Sequence, residues 1–233
     1  MKAAAPSIFT LIRESTRKSS NLDAIRELLA EDPSLVNAVA PKKLADIRGM
    51  SPLQFALCTG WHADIAWYLL DHGADVNYRP EKKWSSESHP VLFDAVNVAL
   101  WNARRYAWDG RPTPPLNLVW LHTTEEADES FALLERMVRM GADVNQPDYD
   151  NRNALFEAVA TANFLCPSKD PATGEFYPGK TMTPEMREDF RRVIGFLLRC
   201  GADTGCVSSF LKKTVAQYFR TEFVWTICGD LFE

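Results

Sequence analysis

The tripeptide Gly-Ala-Asp occurs three times, at Gly73-Ala74-Asp75, Gly141-Ala142-Asp143 and Gly201-Ala202-Asp203. Each copy closes an apolar helical segment: Trp67-Tyr68-Leu69-Leu70, Met137-Val138 and Phe196-Leu197-Leu198. Self-similarity of this kind restricts a chain to an array of like supersecondary units, because a single unit cannot bury its own apolar face. Two copies continue as Asp-Val-Asn, at Asp75-Val76-Asn77 and Asp143-Val144-Asn145. A degenerate copy upstream opens with Leu28-Leu29 and closes with Val36-Asn37. A second motif precedes the first. Ser51-Pro52-Leu53-Gln54-Phe55-Ala56-Leu57 aligns with Pro90-Val91-Leu92-Phe93-Asp94-Ala95-Val96 and with Asn153-Ala154-Leu155-Phe156-Glu157-Ala158-Val159.

The local chemistry of one unit is readable. Ser51 is suited to cap a first helix and Pro52 to occupy its first turn. Ala56 is small enough for close helix approach, and Gly60 breaks the chain between two helices. Ile65, Leu69 and Leu70 form the apolar stripe of a second helix. Gly73 is the residue after a helix that permits a left-handed backbone, and Asp75 and Asn77 suit the turn that follows. Residues 49–77 resemble an ankyrin repeat, with Gly49, Ser51, Pro52, Leu53, Ala56, Gly60, Ile65, Leu69, Leu70 and Gly73 to Asn77 on the family pattern. Gln54 stands where that family carries His, and Trp61-His62 occupies the Gly-His region with a one-residue slip. The resemblance implies an all-α ankyrin-repeat solenoid that binds a partner protein through its turn tips and the groove of its first helices.

On this pattern the whole chain, 1–233, reads as a single domain. Repeats are expected at about 5–40, 49–78, 89–146 and 151–205, with a helical cap at about 207–233. The first begins with Ile8, Phe9, Leu11 and Ile12. The cap draws its apolar side from Phe210, Val215, Tyr218, Phe219, Val224, Trp225 and Ile227.

The spacing departs from a regular array in two places. Leu53 to Gly73 is 20 residues, Leu92 to Gly141 is 49 and Leu155 to Gly201 is 46. Repeats three and four therefore carry inserts between their two helices, at about 101–124 and 162–183, which are expected to emerge side by side. The composition from Val91 to Trp108 predicts that a first helix runs past Trp101. Thr124 is predicted to cap a helix opening at Glu125-Glu126, and Thr183-Pro184-Glu185 marks another helix start.

The inserts are rich in aromatic residues. The first holds Trp101, Tyr106, Trp108 and Trp120 with Arg104 and Arg105 between them, and the second holds Phe164, Phe176 and Tyr177. Trp, Tyr and Arg dominate binding hot spots, and long inserted loops in a compact domain are commonly functional. Candidate partner-binding residues are thus Trp101, Arg104, Arg105, Trp108 and Tyr177. The turn tips add Tyr78, Trp84 and Tyr149. The alternative for the insert rings is mutual packing of the inserts.

Charge and composition narrow the partner class. Lys and Arg number 26 against 31 Asp and Glu, a net charge of -5, which argues against a general nucleic-acid binder. No apolar run approaches the roughly 20 residues needed to span a bilayer, and the N-terminal stretch does not read as a signal peptide. Five scattered cysteines without a CxxC pair read as free thiols in a reducing compartment. The expectation is a cytoplasmic protein-binding module, an adaptor or scaffold, monomeric when unbound and without a cofactor. The alternative within binding is an inhibitor or immunity-type protein that plugs an enzyme.

One motif offers a different class, a nucleotide-binding enzyme. Residues 174–181 match the phosphate-loop pattern G-x-x-x-x-G-K-[ST] through Gly174, Gly179, Lys180 and Thr181. A working phosphate loop follows a buried strand and opens a helix. The preceding Ser168-Lys169-Asp170-Pro171 is no such strand, and Pro178 removes one N–H from the cradle. His62, His72, His89 and His122 show no metal-ligand spacing. No catalytic or metal-binding residue is expected.

Overall fold

In a computed structural model the described residues are 7–16, 19–58, 62–81, 88–108, 118–167 and 182–233, with the backbone alone for 106–108 and 118–120. They form ten α-helices and one small hairpin. The helices are α1 (Ile8–Glu14), α2 (Leu22–Glu31), α3 (Pro52–Cys58), α4 (Ala63–Asp71), α5 (Val91–Trp101), α6 (Thr124–Arg139), α7 (Ala154–Leu165), α8 (Pro184–Arg199), α9 (Val215–Phe219) and α10 (Trp225–Cys228). The fold class is all-α, apart from strands β1 (Tyr106–Trp108) and β2 (Leu118–Trp120) inside the first insert. They pair antiparallel with Ala107 opposite Val119.

Two compact units divide the chain, 1–95 with 133–143 and 96–132 with 144–233. In the first, α3 packs on α4 and on α1. Ile8, Phe9, Leu11 and Ile12 of α1 are buried, as are Ile25, Leu53, Ile65, Leu69 and Leu70. In the second, α7 packs on α8 and α9, and α8 on α10. Leu155, Phe156, Phe190, Val193, Ile194 and Leu197 are essentially inaccessible to solvent there.

Repeated capping explains where the helices start. Ser51 Oγ accepts from the Gln54 amide at 3.1 Å, Asn153 Oδ1 from Phe156 at 3.0 Å and Thr183 Oγ1 from Met186 at 3.1 Å. Each satisfies an amide that the first turn leaves without an intrahelical partner. Before α6 the capping residue is Thr123 rather than Thr124. Its hydroxyl accepts from the Glu126 amide, while Glu126 Oε2 accepts from the Thr123 amide at 3.0 Å, a reciprocal capping box.

The helix ends repeat as well. Gly73, Gly141 and Gly201 take φ of +87°, +96° and +83°, which turns the chain out of α4, α6 and α8. In each case the following alanine amide reaches back to the helix, as Ala74 does to Leu69 O at 3.0 Å.

An asparagine then ties each turn to the next. Asn37 Nδ2 donates to Gly73 O at 3.0 Å and Asn37 Oδ1 accepts from the Asp75 amide at 2.8 Å. Asn77 makes the same two bonds to Gly141 and Asp143, and Asn145 makes them to Gly201 and Asp203. The degenerate copy ending at Asn37 is therefore a full member of the series. The series stops at Gly205, which stands two residues after Asp203 where Asn77 follows Asp75. Gly205 keeps its amide bond to Asp203 Oδ1 but has no side chain to reach a further turn.

Two expectations are corrected. Helix α5 ends at Trp101 instead of running on, because Asn102 Nδ2 bonds Ser130 Oγ and the Arg104 amide bonds Asp189, drawing the chain sideways into β1. The cap has a buried side made of Val215, Phe219, Val224 and Ile227, but Phe210 and Tyr218 do not join it. Phe210 is 81% exposed, since it lies in the tight turn before α9 rather than on a helix.

Candidate functional site

The inserted repeats lengthen their helices as well as their loops. Helix α3 has 7 residues, whereas α5 has 11 and α7 has 12. The added turn carries Trp101 on α5 and Phe164 on α7. Both stand nine residues after the equivalent leucines Leu92 and Leu155, so they occupy one repeat position. Their rings meet at 5.7 Å between centroids and 51° between planes. Trp101 is nevertheless 40% exposed and Phe164 63% exposed. Just inside this pair, Asn97 joins α5 to α7 by donating to Glu157 at 3.1 Å and accepting from Thr161 at 2.7 Å.

Two consecutive arginines follow, with opposite surroundings. Arg104 is an anchor. Its amide donates to Asp189 Oδ2 at 2.8 Å, its Nε to the same oxygen at 3.0 Å and its Nη2 to Asp189 Oδ1 at 2.8 Å. Glu188 accepts from Nη2 at 2.9 Å. Asp189 is buried in α8, and its hydrogen bonds hold the Arg104 guanidinium above the ordinary arginine value. This charge is neutralised inside the protein.

Arg105 has no carboxylate among the described residues. Its guanidinium lies over the Trp101 ring, 5.3 Å from the centroid, and its Nε donates to Trp101 O at 3.3 Å. Burial holds it below the ordinary arginine value. Its carbonyl accepts from the Leu121 amide at 2.9 Å, which closes the base of the insert beside another exposed apolar side chain. Trp101, Phe164, Arg105 and Leu121 thus present aromatic and aliphatic surface with one cation that meets no carboxylate among the described residues.

Supporting contacts hold the scaffold of this face. Arg192 of α8 ion-pairs with Asp128 of α6, and its guanidinium lies over Phe131 at 4.5 Å. Phe131 packs edge-on against Phe196 at 5.5 Å.

The remaining candidates fall elsewhere. Tyr78, in the first unit, is half-buried and its hydroxyl donates to Gly49 O. It lines an open cavity of about 480 Å³ with Val39, Lys42, Arg48 and Glu81. Tyr149 is half-buried in a turn that the Arg152–Asp148 ion pair closes at 2.7 Å. Trp108 lies in β1, and nothing is described of its side chain. Trp84, Tyr177 and the phosphate-loop match at 174–181 lie outside the described residues. Phe164 and Leu121 lie outside the residues that the sequence singles out as candidates, although the shared nine-residue offset places Phe164 level with Trp101.

Buried polar groups in the first unit are structural. Gln54 Nε2 donates to Asp94 Oδ2 at 3.1 Å and to His89 O at 3.2 Å, and His89 Nε2 is 3.1 Å from Asp94 Oδ1. Among the described residues no three His, Cys, Asp or Glu side chains converge as a metal would require. No described helix is long and apolar enough to cross a membrane.

The Ser51 cap, the α3–α4 pair, the left-handed Gly73 and the Asn77 clasp together define one helix–turn–helix segment of the first unit. Residues 48–80 match the model of the ankyrin-repeat family. The chain has no match among curated proteins. Within this matched segment Gln54 reaches Asp94 of α5.

Proposed function

We propose that the chain is a non-enzymatic protein-interaction module, a four-repeat ankyrin stack whose principal contact is the face of Trp101, Phe164, Arg105 and Leu121. One observation carries this reading. Arg105 is partly desolvated and meets no carboxylate among the described residues, while its neighbour Arg104 is satisfied twice over. A partly buried cation without an anion is costly to keep unless a partner supplies one. It lies on an exposed aromatic pair, and Trp and Arg surrounded by excluded water are the residues that dominate binding energy. The partner accordingly brings a carboxylate to Arg105 and an apolar side chain to Trp101 and Phe164. The ankyrin repeat at 48–80 supports protein binding as the class of function.

Within that class we read the chain as an adaptor or scaffold. An inhibitor would use the same face to cover an enzyme's cleft, and loss of a partner's activity on binding would select that reading. The test is a quantitative pull-down from the native host with wild type beside Trp101→Ala/Phe164→Ala, both checked for folding by circular dichroism. The reading requires one partner held by wild type to be lost by the variant. Equal retention of every partner by both would reject this face.

A further inference from the structure

Three turns of the array share one device, and the last departs from it. In the first, the Ala40 amide bonds Met50 O at 2.9 Å and Gly49 adopts φ +82° two residues before the cap Ser51. Likewise the Asp148 amide bonds Arg152 O at 2.9 Å, and Asn151 has φ +56° before Asn153. In the last, the Ser208 amide bonds Lys213 O at 3.1 Å, and Lys212 has φ +55° before Thr214. Gly and Asn suit a left-handed backbone, whereas lysine does not. The last turn also carries one more residue than the Asp148 turn between its paired ends.

That extra length displays Phe210. The backbone around it is firmly held. Lys212 donates to Ser208 O at 2.9 Å, Leu211 to Ser208 Oγ at 3.1 Å and Ser209 to Asp150 O at 2.7 Å, and Asn151 Nδ2 donates to Val207 O at 2.9 Å. Phe210 itself is 81% exposed, with Val207 and Tyr218 also exposed. Lys213 Nζ lies 5.9 Å from the Tyr218 ring centroid. A rigid turn that holds an aromatic ring in solvent has already met the ordering cost of binding, which is the property of a preorganised anchor. Backbone strain kept at an exposed position points the same way.

We propose that the Phe210 turn is a second docking point, in which Phe210 enters an apolar pocket on a partner protein and Lys212 and Lys213 face carboxylates at the pocket rim. The two lysines select an acidic rim by charge. An anionic bilayer fits less well, because one ring and two lysines are set on a chain of net charge -5. This proposal stands apart from the Trp101 face, since it uses different residues and a different observation.

The test places a photo-crosslinking phenylalanine analogue at position 210 of the full chain, expressed in its native host, with the same analogue at position 164 as a parallel probe. The expected result is a crosslink from position 210 to one heterologous protein, at a segment carrying Asp or Glu beside apolar residues. Lys212→Glu/Lys213→Glu should lower its yield at least tenfold, while Lys212→Arg/Lys213→Arg preserves it. Crosslinks to lipid, to a second copy of this chain or to nothing would each overturn the proposal. A crosslink from 164 with none from 210 would overturn it while leaving the Trp101 face in place.

Discussion

Replacing Asp189 tests the anchor that holds the base of the first insert. Asp189→Ala removes a carboxylate that is 2% exposed and accepts from both the backbone and the guanidinium of Arg104. Removing one partner of a buried ion pair typically costs about 3–5 kcal/mol, because the other charge is left uncompensated. Here the cost falls toward the lower end. The Arg104 side chain is 19% exposed and keeps Glu188 at 2.9 Å. The orphaned Arg104 amide adds a lost hydrogen bond of roughly 1 kcal/mol. A total near 4 kcal/mol corresponds to a fall in Tm of roughly 8–16 °C for a chain of this length. Glu188→Ala is the matched control, since Glu188 is 72% exposed and an exposed pair is worth about 1 kcal/mol or less. Urea unfolding followed by circular dichroism measures both. Equal destabilisation by the two substitutions would refute the assignment of Asp189 as the anchor and return Arg104 to the set of available surface cations.

Other consequences are measurable in the same assay or by simple chemistry. Asn77→Ala should destabilise by about 1–2 kcal/mol, because it removes both bonds of one clasp, whereas Gly205→Ala, beyond the last clasp, should change stability by less than about 1 kcal/mol. Lys212→Gly should stabilise by about 1 kcal/mol by relieving a left-handed lysine, read as a higher urea midpoint with unchanged slope. Burial holds His62 below its ordinary value of 6.5, with Asp64 opposing the shift. The unfolded chain therefore takes up the proton first, so this contribution is full above pH 6.5 and is lost as the pH falls through the lower folded value. His62→Gln should flatten the stability loss as the pH falls from about 6.5. Burial raises the Cys228 thiol to about 12, so iodoacetamide at pH 8 should label exposed Cys58 and spare Cys228 until the chain unfolds.

What the sequence reveals follows the range of the interactions involved. Ser51, Thr183 and the three Gly-Ala-Asp turns are legible because a cap or a left-handed glycine acts within a few residues of itself. Asn77 and Asn145 are recognisable as turn residues, but their partners at Gly141 and Gly201 lie 64 and 56 residues away, so their bridging role is not. The contrast between Arg104 and Arg105 is invisible for the same reason. It depends on Asp189, 85 residues from Arg104, and adjacent arginines look alike in one dimension. Phe210 misleads because an apolar residue near a terminal helix is ordinarily core, and only the extra residue in its turn shows that it projects instead. Trp101 and Phe164 are half legible. Their common offset from Leu92 and Leu155 places them on equivalent positions, while their exposure emerges only from the packed helices.

The most direct measurement is hydroxyl-radical footprinting of the intact chain inside its native host compared with the purified protein. Trp101 and Phe164 are read against buried Phe156 and Phe190 and the half-buried Tyr68 of the first unit. The account predicts that oxidation of Trp101 and Phe164 falls severalfold in the cell while the reference residues are unchanged. Equal oxidation of Trp101 and Phe164 in both settings would contradict it, because a face that meets a partner protein cannot remain fully open to solvent where that partner is present.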